Sequence, residues 1–209
     1  MEAPPGQGAR APARAAVQSD LPGLTETLSA AFREDPLWSW AFPDRSKLAA
    51  WWRLLIGSAL RYPWVFIAGD YQAASVWIPP GASELTEQEE DQVEPLLAEL
   101  VGSHAASVME LLERFEASHP RDRPHYYLSL LGTHPDSRGG GLGMSLLAEN
   151  LARIDEEAMP AYLESSNPDN DGRYERVGFR RVGEFSTPDD RHTVATMWRD
   201  PRPQGTSPT

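Results

Sequence analysis

The chain of 209 residues has no cysteine and a single lysine, Lys47. Without cysteine there are no disulfides, no thiolate nucleophile and no thiolate metal site. Without a second lysine, the glycine cluster at 139–143 cannot be a Walker phosphate loop, whose G-x-x-x-x-G-K-[ST] pattern ends on one. The five histidines (104, 119, 125, 134 and 192) include no H-x-x-x-H pair, so no metal site is expected. No G-x-S-x-G elbow marks a serine hydrolase. Long apolar runs are missing as well. The longest, Leu48 to Leu60, is broken by Arg53 and too short to cross a bilayer. The opening "MEAPPGQGARAPARAAVQSD" lacks the apolar core of a secretory signal, so a soluble, cytoplasmic protein is expected. Positive charge is scarce too: 19 Lys and Arg face 31 Asp and Glu, a net charge of −12. Such a field repels nucleic acid and anionic membranes and attracts a cationic small molecule such as an amine.

Hydrophobic residues make up 40% of the chain and tryptophan occurs seven times, enough for one globular domain with a sizeable core. Residues 1–13 and 200–209 are rich in Pro, Gly and polar residues and read as disordered tails around a single domain at 14–199. Ser19 or Asp20 caps a first helix that carries Leu24, Leu28, Ala31 and Phe32 on one face and ends before Asp35-Pro36. A second helix is expected from about Ser46 to Leu60. "PWVFIAGDYQAASVWIPP" reads as two strands joined by a tight turn at Gly69-Asp70. Residues 83 to 118 read as two helices broken near Gly102. The remainder runs strand (125–134), glycine turn, helix (142–158), strand (161–166), short helix (169–176), then two strands near 179–185 and 192–198. Strand–helix–strand implies a parallel pair, hence a mixed α/β sheet with helices on both faces.

Four glycines fall within five positions of "THPDSRGGGLGMSLL", just before a helical pattern resumes. A dinucleotide fingerprint would need a third glycine where Leu146 stands. A helix N-terminus with bare N–H groups and an adjacent arginine is an anion site; a ligand-free turn is the plain alternative. The spacing Arg138-x-x-Gly141-x-Gly143, after a strand ending Thr133-x-Pro135, resembles the core motif of the GNAT superfamily of acetyl-CoA-dependent N-acetyltransferases, with Thr133 where valine is usual. "PAYLESSNPDNDGRYERVGF" (160–179) resembles the family's strand–Asn–short helix–Tyr–Gly–Phe segment. Within the superfamily the texture looks most like puromycin N-acetyltransferase and related actinobacterial antibiotic acetyltransferases.

The resemblance implies a mostly antiparallel sheet with a splayed central parallel pair, divided into an acceptor-side half (14–124) and an acetyl-CoA-binding half (125–199). It implies that the backbone of Arg138, Gly139, Gly140, Gly141, Leu142 and Gly143 holds the pyrophosphate of acetyl-CoA, with Arg138 either assisting by charge or bracing the turn. Leu130, Leu131, Gly132 and Thr133 would offer main-chain groups to the pantetheine arm, one of them polarising the thioester carbonyl. Gly132, near its strand end, can mark a bulge or a close approach. Asn170 corresponds to a pantetheine contact, or simply caps the short helix.

Direct transfer in a ternary complex follows from the resemblance, and the lack of cysteine removes a thiol acyl-enzyme. Tyr174 matches the family's general acid; the plain alternative is a core tyrosine beside Phe179. Glu164, in "YLESS", is the leading base, directly or through water, against a structural carboxylate bound to backbone or to Arg173. The acidic run "ELTEQEEDQVEPLLAEL" reads as a solvated helix face. Of the tryptophans at 38, 40, 51, 52, 64 and 77, most are expected in the core and one or two in an acceptor pocket. The expected activity is acetyl transfer from acetyl-CoA to a primary amine of a small molecule, an antibiotic or another metabolite, by a monomer or homodimer without metal. The alternatives are acetylation of a protein or peptide, or a non-catalytic acyl-CoA-binding module.

Overall fold

A computed structural model describes residues 13–202; the outer parts of both expected tails lie outside this range. The parts inside it are tied to the domain. Ala13 N donates to Glu149 Oε2 at 3.3 Å, and Asp200 pairs with Arg180 Nη2 at 2.7 Å.

Seven strands form one sheet: β1 (Arg14–Ala15), β2 (Val65–Ala68), β3 (Ala73–Ile78), β4 (Tyr126–Thr133), β5 (Ala161–Ser165), β6 (Arg180–Ser186) and β7 (Thr193–Arg199). Their order is β1-β2-β3-β4-β5-β7-β6, antiparallel throughout except for the central β4·β5 pair. The expected mixed sheet, mostly antiparallel with one parallel pair, is therefore present. The helices are α1 (Leu21–Phe32), α2 (Pro36–Ala41), α3 (Leu48–Ala59), α4 (Glu87–Glu90), α5 (Val93–Val101), α6 (Ala105–Ser118), α7 (Leu142–Glu156) and α8 (Asp171–Arg176).

Each face of the sheet has its own core. On one, α1, α2, α3, α5 and α6 pack over Ile67, Val76 and Leu130. On the other, Leu146, Leu147, Leu151 and Ile154 of α7 pack against Phe66, Trp77, Leu128 and Leu163. α3 shows why its sequence is helical. Leu48, Trp51, Trp52, Leu55, Ile56 and Ala59 recur at three- and four-residue intervals, and all are buried, while Arg53 points outward. At the sheet's first edge, Arg14 grips Asp20 through two 2.7 Å bonds, and Tyr71 Oη donates to the same carboxylate at 2.6 Å.

Three local features go beyond or depart from the expectations. The first helix ends before Asp35-Pro36 as expected, but that dipeptide also starts an unexpected helix, α2: Asp35 Oδ1 accepts from the amides of Leu37 and Trp38, and Pro36 takes the first helical position, where it needs no N–H. The β2–β3 connection spans residues 69–72, with Gly69 and Tyr71 both at positive φ, so it is longer than a two-residue turn. The strand β1 adds two residues to the edge by backbone pairing, reinforced by the Arg14–Asp20 bonds.

Candidate active site

β4 and β5 pair only at Tyr126↔Ala161, Tyr127↔Tyr162 and Leu128↔Leu163. Beyond Leu128 the strands part. The cause lies in the register with β3, where Val76 pairs with Leu130 and the adjacent Trp77 with Leu128. Ser129 is thus an extra residue, a β-bulge that bends β4 away and exchanges its faces. Tyr126 and Leu128 belong to the α7-side core, whereas Leu130 belongs to the opposite one. The bulge therefore sits at Ser129, not at Gly132. Gly132 is a close approach instead: a Cβ there would lie 2.7 Å from Ala31 Cβ and 2.8 Å from Leu28 Cδ2 of α1. Leu131, Gly132 and Thr133 border the opening.

One cavity, of about 550 Å³, lies over the glycine turn. Gly139 and Gly141 hold φ of +88° and +72°, which favours glycine, and a Cβ at 139, 140 or 141 would meet no atom of the described residues within 4 Å. These positions are kept bare toward open space. The first-turn amides of α7, at Leu142, Gly143 and Met144, have no carbonyl of their own helix to bind and carry the positive end of its dipole. Gly143 also lets α7 approach β4, since a Cβ there would sit against Thr133 Oγ1. Arg138 braces the turn: its Nη2 donates to Ala31 O at 2.8 Å, and its amide already donates to Pro135 O at 3.2 Å, so that amide is not on offer to an anion. Arg173 and Arg176 bring positive charge to this cavity, whose lining also includes Glu34, Asp35 and Asp169.

The second cavity, about 570 Å³, lies on the other side of the parting strands, walled by Trp38, Trp51, Trp52, Phe32 and Phe115. Trp38 and Trp52 meet edge to face with centroids 4.7 Å apart. Three of the tryptophans thus line a pocket, more than expected, because α2 and α3 both turn their apolar faces toward it. Its polar wall holds Glu164, Glu84, His119, Tyr127 and Ser129. The Glu164 side chain is 2% exposed and, among the described residues, neither carboxylate oxygen has a partner at normal hydrogen-bond geometry, although the Tyr127 and Tyr162 phenols lie close enough to feel it; the nearest cation-forming group is His119 Nδ1, 3.7 Å from Oε1. The structural alternative of an Arg173 partner is absent, since Arg173 Nη1 donates to Asn170 Oδ1 at 3.1 Å. Glu84 opens the acidic run expected to be solvated, yet it accepts from Ser129 Oγ and turns into the pocket. Burial pushes its carboxyl above the usual range, and the charge of Glu164 adds to this. Burial also raises the Tyr127 phenol strongly, again with Glu164 and Glu84 contributing.

Phe32, Leu131, Asn170 and Tyr174 line both cavities, which therefore meet at the split. The Tyr174 phenol is pushed up to about 12, mainly by burial and then by the charges of Asp35 and Asp171. Its ring packs edge to face on Phe179, 6.1 Å between centroids, so the packing and the exposure to the split coexist. Asn170 makes no capping bond to its helix; Asn167 caps the preceding turn by accepting from Asp169 N at 3.1 Å. Asp35 anchors the floor, its Oδ2 accepting from Ser166 Oγ at 2.8 Å just past β5. Glu84, His119 and Tyr127 were missed in sequence. They come from three separate segments, and nothing in their spacing signals a site.

No family model matches the chain. Solved structures do. A Corynebacterium glutamicum protein described as histone acetyltransferase HPA2 and related acetyltransferase matches with a TM-score of 0.67 at 24% identity, over 93% of this chain and 98% of that one. Arylalkylamine N-acetyltransferase 2 from Aedes aegypti gives 0.67 at 13% identity, over 91% and 99%. A Drosophila melanogaster polyamine N-acetyltransferase, which forms N-acetylagmatine, gives 0.59 at 17%, over 90% and 99%. The mixed sheet with its single parallel pair and flanking helices is the fold of the GNAT acetyltransferases.

Proposed function

We propose that this chain is an N-acetyltransferase that uses acetyl-CoA and acts on the primary amine of a small cationic molecule with an apolar body. The observation that carries the reading is the meeting of two cavities at the parted β4·β5 edge. One is built for an anion and the other is an aromatic pocket with buried carboxylates. The residues present fit acetyl-CoA on two counts: side-chain-free positions at 139–141 face open space, and a helix N-terminus points amides at it. The amides of Gly139 to Gly143 would hold its pyrophosphate, with Arg173 and Arg176 adding charge. The main-chain groups of Leu130 to Thr133, together with Asn170, would hold its pantetheine arm. When bound, it supplies an activated acetyl thioester.

The chain's own groups divide the remaining work. A main-chain amide on the parted edge polarises the carbonyl under attack. Glu164, a buried carboxylate without a hydrogen bond of normal geometry, accepts the proton that an ammonium must lose before its nitrogen can attack. Tyr174, neutral throughout the physiological range because its pKa lies near 12, keeps a proton to donate to the departing sulfur. The enclosing indole and phenyl walls favour a compact acceptor with an apolar body over a protein terminus. The net charge of −12 favours a cationic acceptor over nucleic acid.

The test is coenzyme A release, read with a thiol reagent, which finds no background in a cysteine-free chain. The panel spans diamines, guanidines, arylalkylamines, puromycin and peptides. Turnover of a small amine supports the proposal. Turnover of peptides alone would make the protein-acetylating alternative correct, and acetyl-CoA binding without turnover would leave a binding module.

A further inference from the structure

Behind Glu164 lies a chain of imidazoles that the acetyl-transfer reading does not use. His125 Nδ1 is 2.7 Å from Arg123 O, and a carbonyl only accepts, so that nitrogen carries a proton. His125 is buried, and burial depresses its imidazolium form, leaving its Nε2 as a lone pair. His119 Nε2 lies 3.1 Å from that lone pair and must donate to it. The remaining ring nitrogen of His119, Nδ1, then faces Glu164 Oε1 at 3.7 Å as an open proton site. The ring is held in this orientation by edge-to-face contacts with Tyr127 and Tyr162, at 4.9 and 5.1 Å between centroids.

We infer that Glu164 and His119 act as one proton-accepting unit, whose tautomer is set by His125 and the Arg123 carbonyl. This rests on the acetyl-transfer reading for its use, though not for its geometry. With one net negative charge the unit is a base. An N–H bond of the acceptor ammonium breaks, an O–H on Glu164 or an N–H at His119 Nδ1 forms, the electron pair stays on the amine nitrogen, and the unit becomes neutral. The His119 side chain is 27% exposed against 2% for Glu164, so the proton leaves to water from the imidazole rather than from the carboxylate. His119 shares the proton that Glu164 accepts, whereas His125 acts through His119 and is a positioning residue. The other ionisable groups facing His119 are Tyr127 from β4, Tyr162 from β5, Glu84 from the β3–α4 connection, and Glu116 and Arg121 beside it on and after α6. Substitutions are confined to the two linked histidines so that this background stays fixed.

The experiment has two arms on the full chain. In the first, nitrogen-15 spectra of the five histidines report tautomers without any ligand. Neutral His125 is expected as the Nδ1–H form and neutral His119 as the Nε2–H form. A neutral His119 carrying its proton on Nδ1 overturns the inference. In the second arm, the pH profile of coenzyme A release is measured with the best amine of the panel. His119→Gln should lower kcat about tenfold or more with the KM for acetyl-CoA unchanged. Its acid limb should move to lower pH, because removing one of two proton sites weakens proton binding by the unit. His125→Gln should lower kcat less and leave the limb where it is. An unmoved limb in His119→Gln overturns the inference. Should no amine be turned over, the acetyl-transfer reading fails while the spectra still decide whether the unit exists.

Discussion

Two glycine-to-alanine substitutions should shift stability in opposite directions, and the contrast tests the packing that positions the split. Gly132 lies on β4 under α1, where an added methyl would stand 2.7 Å from Ala31 Cβ and 2.8 Å from Leu28 Cδ2, about 1 Å inside ordinary carbon contact. Neither neighbour is the free end of a flexible chain, since Leu28 is fully buried in the core. Overpacking of this kind costs about 1–3 kcal/mol. For a chain of this size each kcal/mol is worth roughly 2–4 °C, so Gly132→Ala should melt roughly 2–12 °C below the wild type. Gly57 lies inside α3, and a methyl there would touch only Leu21 at 3.7 and 3.9 Å, an ordinary contact. Gly57→Ala should therefore gain about 0.5–1 kcal/mol of helix propensity and melt a degree or more higher. Thermal melts followed by circular dichroism read both. The steric reasoning has a functional corollary. Arg138 holds the glycine turn to Ala31 O, so a displaced α1 should also raise the KM for acetyl-CoA in Gly132→Ala. A Gly132→Ala protein that melts at or above the wild-type temperature would refute the β4–α1 packing described here.

Gly141→Glu places a carboxylate at the mouth of the anion cavity and a side chain at φ +72°; coenzyme A binding by calorimetry should disappear while the fold survives at a cost of about 1–2 kcal/mol, and retained affinity would reject the turn as the pyrophosphate site. Tyr174→Phe removes the phenolic proton and keeps the ring on Phe179, so kcat should fall about 10²-fold with coenzyme A affinity nearly intact; equal turnover would remove Tyr174 from the chemistry. Two carboxylates should set the acid limit of stability. The Arg14 hydrogen bonds hold Asp20 well below the usual carboxylate range. Burial raises Asp155, but the bonds from Arg199 at 2.6 and 2.8 Å and from the Arg202 amide outweigh it. Depressed values in the folded state mean that this stability is present in full above about pH 4 and is lost as pH falls through the folded values. Urea denaturation between pH 2 and 6 should show a shallower acid slope in Asp20→Asn/Asp155→Asn than in the wild type, and identical slopes would exclude these pairs as the cause.

What was legible in the sequence was what local chemistry dictates. The glycine cluster announced a bare helix N-terminus, and helical spacing announced α1, α3 and α7 within one or two residues. The parallel pair followed from the order of elements. Asp35-Pro36 carried its signal too, an N-cap followed by proline, but the same dipeptide also ends helices; only the buried Leu37 and Trp38 reveal which. The aromatic cavity was legible in composition and not in detail. Glu164 stood out because a carboxylate inside a strand is costly, whereas His119, His125 and Glu84 are brought to it by the approach of a helix end, a loop and a connection over the sheet. Such convergence leaves no periodic trace along the chain. The bulge was equally hidden, since Ser129 reads as one more residue of an alternating strand.

That serine gives the protein a parity. Counting along β4, side chains before position 129 and those after it keep opposite odd–even assignments, so a deletion of one residue there would not merely shorten the strand. It would restore a single alternation in which Leu130 and Gly132 keep their present layer, and let the central ladder zip onward past Leu128. The crevice between the two cavities is in this sense worth one amino acid: with it the sheet is a forked surface, and without it a continuous one.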